Sequence, residues 1–160
     1  MRRTAFSLCV TLMASSLALA AVSASVAYPE GYRSWTHVKT MQIHAGHPLF
    51  DAFGGVHHLY ANDKAMTGYR SGRFPDGAVI VFDLREAKTA DQTTTAGPRK
   101  VVGVMHKDAK RFASTGGWGF EAFKGDSKSE RVVAGNAKAA CFDCHTAQRA
   151  RDYVFSSFER

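Results

Sequence analysis

Cysteine is scarce in this 160-residue chain, at three residues: Cys9, Cys141 and Cys144. So few exclude a small scaffold stapled by several disulfides. Proline is rarer than usual at four residues, and no segment is repetitive, of low complexity or rich in Pro, Gly and Ser. Solenoid arrays and long linkers are excluded with them. Beyond the first turns of the chain no stretch is apolar enough to cross a bilayer. Basic residues outnumber acidic ones, 21 to 14, but they are nowhere interleaved with aromatics in a cluster. A nucleic-acid groove needs that arrangement, so nucleic acid is not an expected partner.

The amino-terminus has its own pattern. Arg2 and Arg3 precede a run from Ala5 to Ala20 broken only by Ser, Thr and Cys, and small residues follow. A positive start, a short apolar run and small-x-small cleavage positions define a secretory signal peptide. Cuts after Ala20, Ala24 or Ala27 all fit, so 1–27 is assigned as the leader and 28–160 as the mature domain. An uncleaved anchor competes with this reading, but Ala and Ser dilute the apolar run. Export places the mature chain in the periplasm. Cys9 leaves with the leader, and a mature chain of about 133 residues is long enough to bury a core.

Along the mature chain, Trp35 to His44 alternates as a half-buried strand with Trp35, His37, Lys39 and Met41 on one side. Val56 to Ala61 reads as a second strand, and Asn62 or Asp63 caps a short helix through Arg70. The Arg73–Gly77 turn leads into the strand Ala78–Leu84 (AVIVFDL). Polar residues from Thr89 to Pro98 predict a loop, Val101 to His106 another strand, and Asp108 a cap for a short helix containing Phe112. Trp118–Phe123 is a last, aromatic strand, and Asn136 caps a helix that runs into the cysteine pair. The expected fold is α+β: an antiparallel sheet of about five strands with peripheral helices.

Cys141-Phe142-Asp143-Cys144-His145 is a C-x-x-C-H motif. On a helix, residues three apart share a face, so both sulfurs can reach one haem while His145 comes under its iron. This predicts one covalently attached haem c per chain, with His145 as the iron ligand. Such attachment occurs outside the cytoplasm, in agreement with the leader. A thioredoxin-type pair would sit early in its fold, whereas 16 residues follow Cys144. Zinc would need a second ligand pair. A plain disulfide would not require His145.

No methionine follows His145. A sixth iron ligand must therefore come from upstream, from Met41, Met66, Met105, His37, His44, His47, His57, His58 or His106. Each is more easily read as core, loop or surface, so an open distal site is expected. Glu121, within the aromatic strand, is the candidate distal proton acceptor. A six-coordinate electron carrier is the alternative.

With these segments in view, the sequence resembles the cytochrome P-460 family. The resemblance rests on YPEGYRSWTHVKTM, YAND at 60–63, GRFPDGAVIVFDL at 72–84, RFA followed by GGWGF at 111–120, and CFDCH with YVFSSF. It covers about Tyr28 to Phe158 and implies a five-coordinate periplasmic haem c cytochrome. Its members are of two kinds. Cytochromes P-460 carry a lysine–porphyrin cross-link and oxidise hydroxylamine; cytochromes c′-beta lack the link and bind nitric oxide or carbon monoxide. The cross-linking lysine is expected just before Ser71-Gly72, where this chain has Tyr69 and Arg70. Lys64 is the nearest candidate. The resemblance thus implies a small nitrogen compound, nitric oxide or hydroxylamine, as ligand or substrate. A periplasmic redox protein is a further expected partner, and a homodimer is compatible with the sequence.

Overall fold

The computed structural model describes residues 25–158. Five strands form one antiparallel meander in the order β1-β2-β3-β4-β5: Thr36–Ile43, Gly55–Ala61, Val79–Ala90, Thr93–Lys107 and Trp118–Lys124. Helix α1 (Phe50–Phe53) links β1 to β2, and α2 (Asp63–Ser71) links β2 to β3. The carboxy-terminal part is a helical stretch, α3, over Lys138–Phe142 and Asp143–His145, followed by a tight turn at Thr146–Arg151. The expected α+β architecture is observed.

The local chemistry explains these elements. Asn62 caps α2 by accepting from the Ala65 N–H at 2.9 Å, and the same Oδ1 accepts from Val79 N at 3.0 Å. One side chain thus ends β2, starts α2 and pins β3. Gly72 closes α2 at φ 77°, a conformation glycine adopts without cost.

Two strand expectations change. Thr89–Pro98 is not a loop: β3 and β4 continue as a hairpin arm closed by Asp91 and Gln92, both at positive φ (49° and 60°). That is the geometry of a two-residue hairpin turn whose twist matches the strands. The arm is polar because it projects past the core, and the Thr89–Thr94 hydroxyl pair at 2.9 Å ties it across the strands. The second change is a bulge at Val38, where the β1–β2 register shifts between His37 and Lys39. The extra residue breaks the alternation. His37 therefore leaves the face of Lys39 and Met41 and packs on Tyr60, ring centroids 5.5 Å apart.

Hydrophobic residues fill both faces of the sheet. On one side, Val38, Ala61, Ile80, Trp118 and Phe120 pack with Ala65 and Met66 of α2 and with Val154. On the other, Val81, Val102, Val104 and Phe123 pack with Tyr32, Phe112 and Val26. Val26 is buried, and its carbonyl accepts from Arg131 at 2.7 Å, while the Ser25 carbonyl accepts from Arg111 at 3.1 Å. Ser25 and Val26 thus pack with the rest of the domain. The rest of the leader assignment, 1–24, lies outside the described residues.

Candidate functional site

Cross-strand pairing decides which side chains share a face. Lys39 pairs with Leu59, Leu59 with Phe82, Phe82 with Gly103 and Gly103 with Ala122. This face, with its neighbours Met41, His57, Ile80 and Met105, borders a cavity of about 250 Å³ that His145, Val154 and Phe155 complete. His145 stands beside β5, its ring 4.9 Å from that of Phe120. The cavity extends from there across the sheet to Lys39 and Met41 on edge strand β1. Met41 and Phe155 leave large apolar surfaces at its mouth, 41% and 47% exposed. Apolar side chains so exposed around a concave site suit a flat hydrophobic group.

His145 is prepared as a ligand. Its Nδ1 lies 2.7 Å from the Tyr153 carbonyl oxygen, which can only accept, so Nδ1 carries the proton and Nε2 keeps its lone pair. Burial disfavours the charged ring and lowers its pKa, although the Tyr153 contact acts in the opposite sense. Cys141 and Cys144 occur one turn and one residue before it on α3, three apart and so on one helical face, both as free thiols. Neither sulfur lines the cavity itself. Burial pushes the Cys141 thiol up to about 11, with the Glu121 carboxylate and Cys144 adding to the effect. Two free thiols and a singly committed imidazole beside an apolar cavity fit a haem: Cys141 and Cys144 would hold its edge and His145 its iron.

Of the upstream candidates for a sixth ligand, only Met41, His57 and Met105 line the cavity. His57 is buried and donates from Nε2 to the Phe53 carbonyl at 2.6 Å. His37 and His58 lie on the opposite face, both within 2.9 Å of the Thr40 hydroxyl. Met66 belongs to the core under α2, and His106 packs on Phe112. His44 and His47 are in the exposed β1–α1 connection.

Glu121 does not meet the expectation of a distal base. It pairs with Val104, which pairs with Val81, and so it belongs to the face away from the cavity. Its carboxylate accepts from Arg131 Nη1 at 3.0 Å and from the backbone N–H groups of Ala122, Val133 and Ala134 at 3.0–3.3 Å. A buried carboxylate saturated in this way anchors the segment that leads into α3. Lys64 is likewise elsewhere. Its ammonium donates to the Asp76 carbonyl at 3.2 Å, across the turn at Gly77 and away from the cavity lining. Tyr69, which with Arg70 occupies the segment where the resemblance expects a lysine, bonds the Ser156 hydroxyl at 2.7 Å. The lysine that does border the cavity is Lys39. Sequence reasoning placed it on the strand face of Met41 but gave it no role, since no motif marks it.

An antiparallel meander carrying C-x-x-C-H on a terminal helix, with the histidine facing an apolar cavity, defines a haem-binding cytochrome. The chain belongs to the cytochrome P460 family, whose model matches residues 29–156. No curated protein matches the chain. Membership of this family implies a haem cofactor, and the donor set around His145 fits one.

Proposed function

We propose that the protein is a periplasmic mono-haem c-type cytochrome whose distal site is open to a small nitrogen compound, nitric oxide or hydroxylamine. Cys141 and Cys144 would hold the haem through thioether bonds, and His145 would ligate its iron. The observation that carries the reading is the apolar cavity that His145 lines while its Nδ1–H is held by the Tyr153 carbonyl and its Nε2 keeps the lone pair. The cavity then offers a bound ligand an apolar wall of Leu59, Ile80 and Phe82. When bound, the haem supplies an iron that takes up diatomic ligands and changes oxidation state. The chain's part is to hold the proximal imidazole in one tautomer, exclude water and leave the other side accessible. With Lys64 turned to Asp76 and with Tyr69 and Arg70 in the segment where the family's lysine is expected, ligand binding is favoured over hydroxylamine oxidation.

The electron-carrier alternative has in its favour the thioethers of Met41 and Met105 and the Nδ1 lone pair of His57 on the cavity wall. An absorption spectrum of the purified protein separates the two. The open-site reading expects a high-spin resting ferric haem and ready uptake of nitric oxide or carbon monoxide by the ferrous form. A low-spin resting spectrum that becomes high-spin in Met41→Ala, Met105→Ala or His57→Ala would establish the carrier instead.

A further inference from the structure

The carbonyl that fixes His145 belongs to an unusual stretch of backbone. The turn at Thr146–Arg151 ends in two successive left-handed residues, Asp152 (φ 52°) and Tyr153 (φ 65°). Asp tolerates this conformation, but an aromatic residue rarely adopts it, so it persists only where surrounding contacts over-determine it. Those contacts converge on Asp152 from three other parts of the fold. Lys107, at the end of β4, donates to Oδ1 at 2.7 Å; Phe74 N–H, in the turn after α2, donates to Oδ2 at 2.9 Å; and the Trp118 indole N–H, at the start of β5, donates to the Asp152 carbonyl at 2.8 Å.

The cation in this group is itself enclosed. Lys107 is buried, its ammonium also donates to the Gly116 carbonyl at 3.1 Å, and it lies 5.0 Å from the Trp118 ring centroid. Trp118 has no exposed surface. A surface ion pair contributes little, whereas an enclosed one held by further hydrogen bonds fixes geometry. The Tyr153 ring closes the assembly by packing against the Gly116 backbone, where even a Cβ would approach it to 2.4 Å.

We propose that Asp152 is a positioning residue for His145. Held by Lys107, Phe74 and Trp118, it sets the direction of the Tyr153 carbonyl and, through that hydrogen bond, the orientation and basicity of the imidazole. The inference rests on the reading of His145 as the haem ligand. A backbone acceptor on Nδ1–H makes Nε2 a stronger donor to a metal, so weakening the clamp weakens the iron–imidazole bond.

The test uses periplasmically matured holoprotein and two readouts: the iron–imidazole stretching band of the ferrous form by resonance Raman, and the reduction potential. Asp152→Asn keeps left-handed tolerance and volume but loses the charge; Lys107→Met removes the cation while filling its space. In both, the band should move to lower frequency and the potential should rise, at unchanged haem content and circular dichroism. Lys107→Arg should restore most of both shifts. If Asp152→Asn does not fold, Lys107→Met against Lys107→Arg decides. Folded, haem-loaded variants with the wild-type band and potential would overturn the proposal. A five-coordinate ferrous wild type without an iron–imidazole band would instead overturn the reading of His145 on which it depends.

Discussion

The imidazole of His57 donates from Nε2 to the carbonyl oxygen of Phe53, 2.6 Å away and four residues earlier. The bond joins α1 to the wall of the cavity, and it fixes the tautomer of the only upstream imidazole that the described residues bring to that wall, with the lone pair on Nδ1.

His57 also makes the fold sensitive to acid. Burial is the main cause of its lowered pKa, and Lys100 and His58 add to it against the Phe53 contact; burial likewise lowers His58 and His106. A lowered folded pKa means that the unfolded chain binds protons first. The stabilisation is therefore complete above the ordinary value near 6.5 and is lost as pH falls through the folded value. The denaturation midpoint should fall between about pH 7.5 and pH 5.5. In His57→Gln the fall should be smaller but not absent, because His58 and His106 remain. An equal slope in the variant would remove His57 from the account.

Gly103 is the smallest residue on the cavity face, and a Cβ there would meet the Phe82 ring at 2.0 Å. Gly103→Ala should push that ring toward the cavity. Overpacking of this kind costs about 1–3 kcal/mol, so a fall in Tm is expected. Carbon monoxide affinity of the ferrous protein should fall about tenfold, the equivalent of roughly 1.4 kcal/mol. Unchanged affinity would show that Phe82 does not border the ligand's space.

The packing of Val26 bears on export. A cut after Ala27 would remove a side chain buried against Gly119 and Phe112, together with the Arg131–Val26 and Arg111–Ser25 hydrogen bonds. Amino-terminal sequencing of periplasmic protein should therefore start upstream of Val26, after Ala20 or Ala24. A chain starting at Tyr28 would contradict this, and a chain starting at Met1 would contradict cleavage altogether.

Much of this was legible in the sequence because local chemistry agreed with the tertiary arrangement. The Asn62 cap, the five apolar strands and Cys141–His145 each announce themselves by residue type and spacing. The failures have physical causes. The arm around Asp91 is polar because it projects past the core of the described residues, and Asp-Gln lacks the glycine that signals a tight hairpin. The Val38 bulge inserts one residue and reverses the side that His37 faces, which no alternation rule anticipates. Glu121 was read by strand position alone, whereas pairing with Val104 puts it on the other face. The Asp152 clamp joins residues up to 78 positions apart and has no local signature.

The central claim is that Cys141 and Cys144 hold the haem covalently. It is tested most directly by the intact mass of periplasmically matured protein after acid–acetone extraction. The account predicts a single species equal to the processed chain plus one haem. Extraction that leaves a chain of bare polypeptide mass, with the haem in the organic layer, would contradict it.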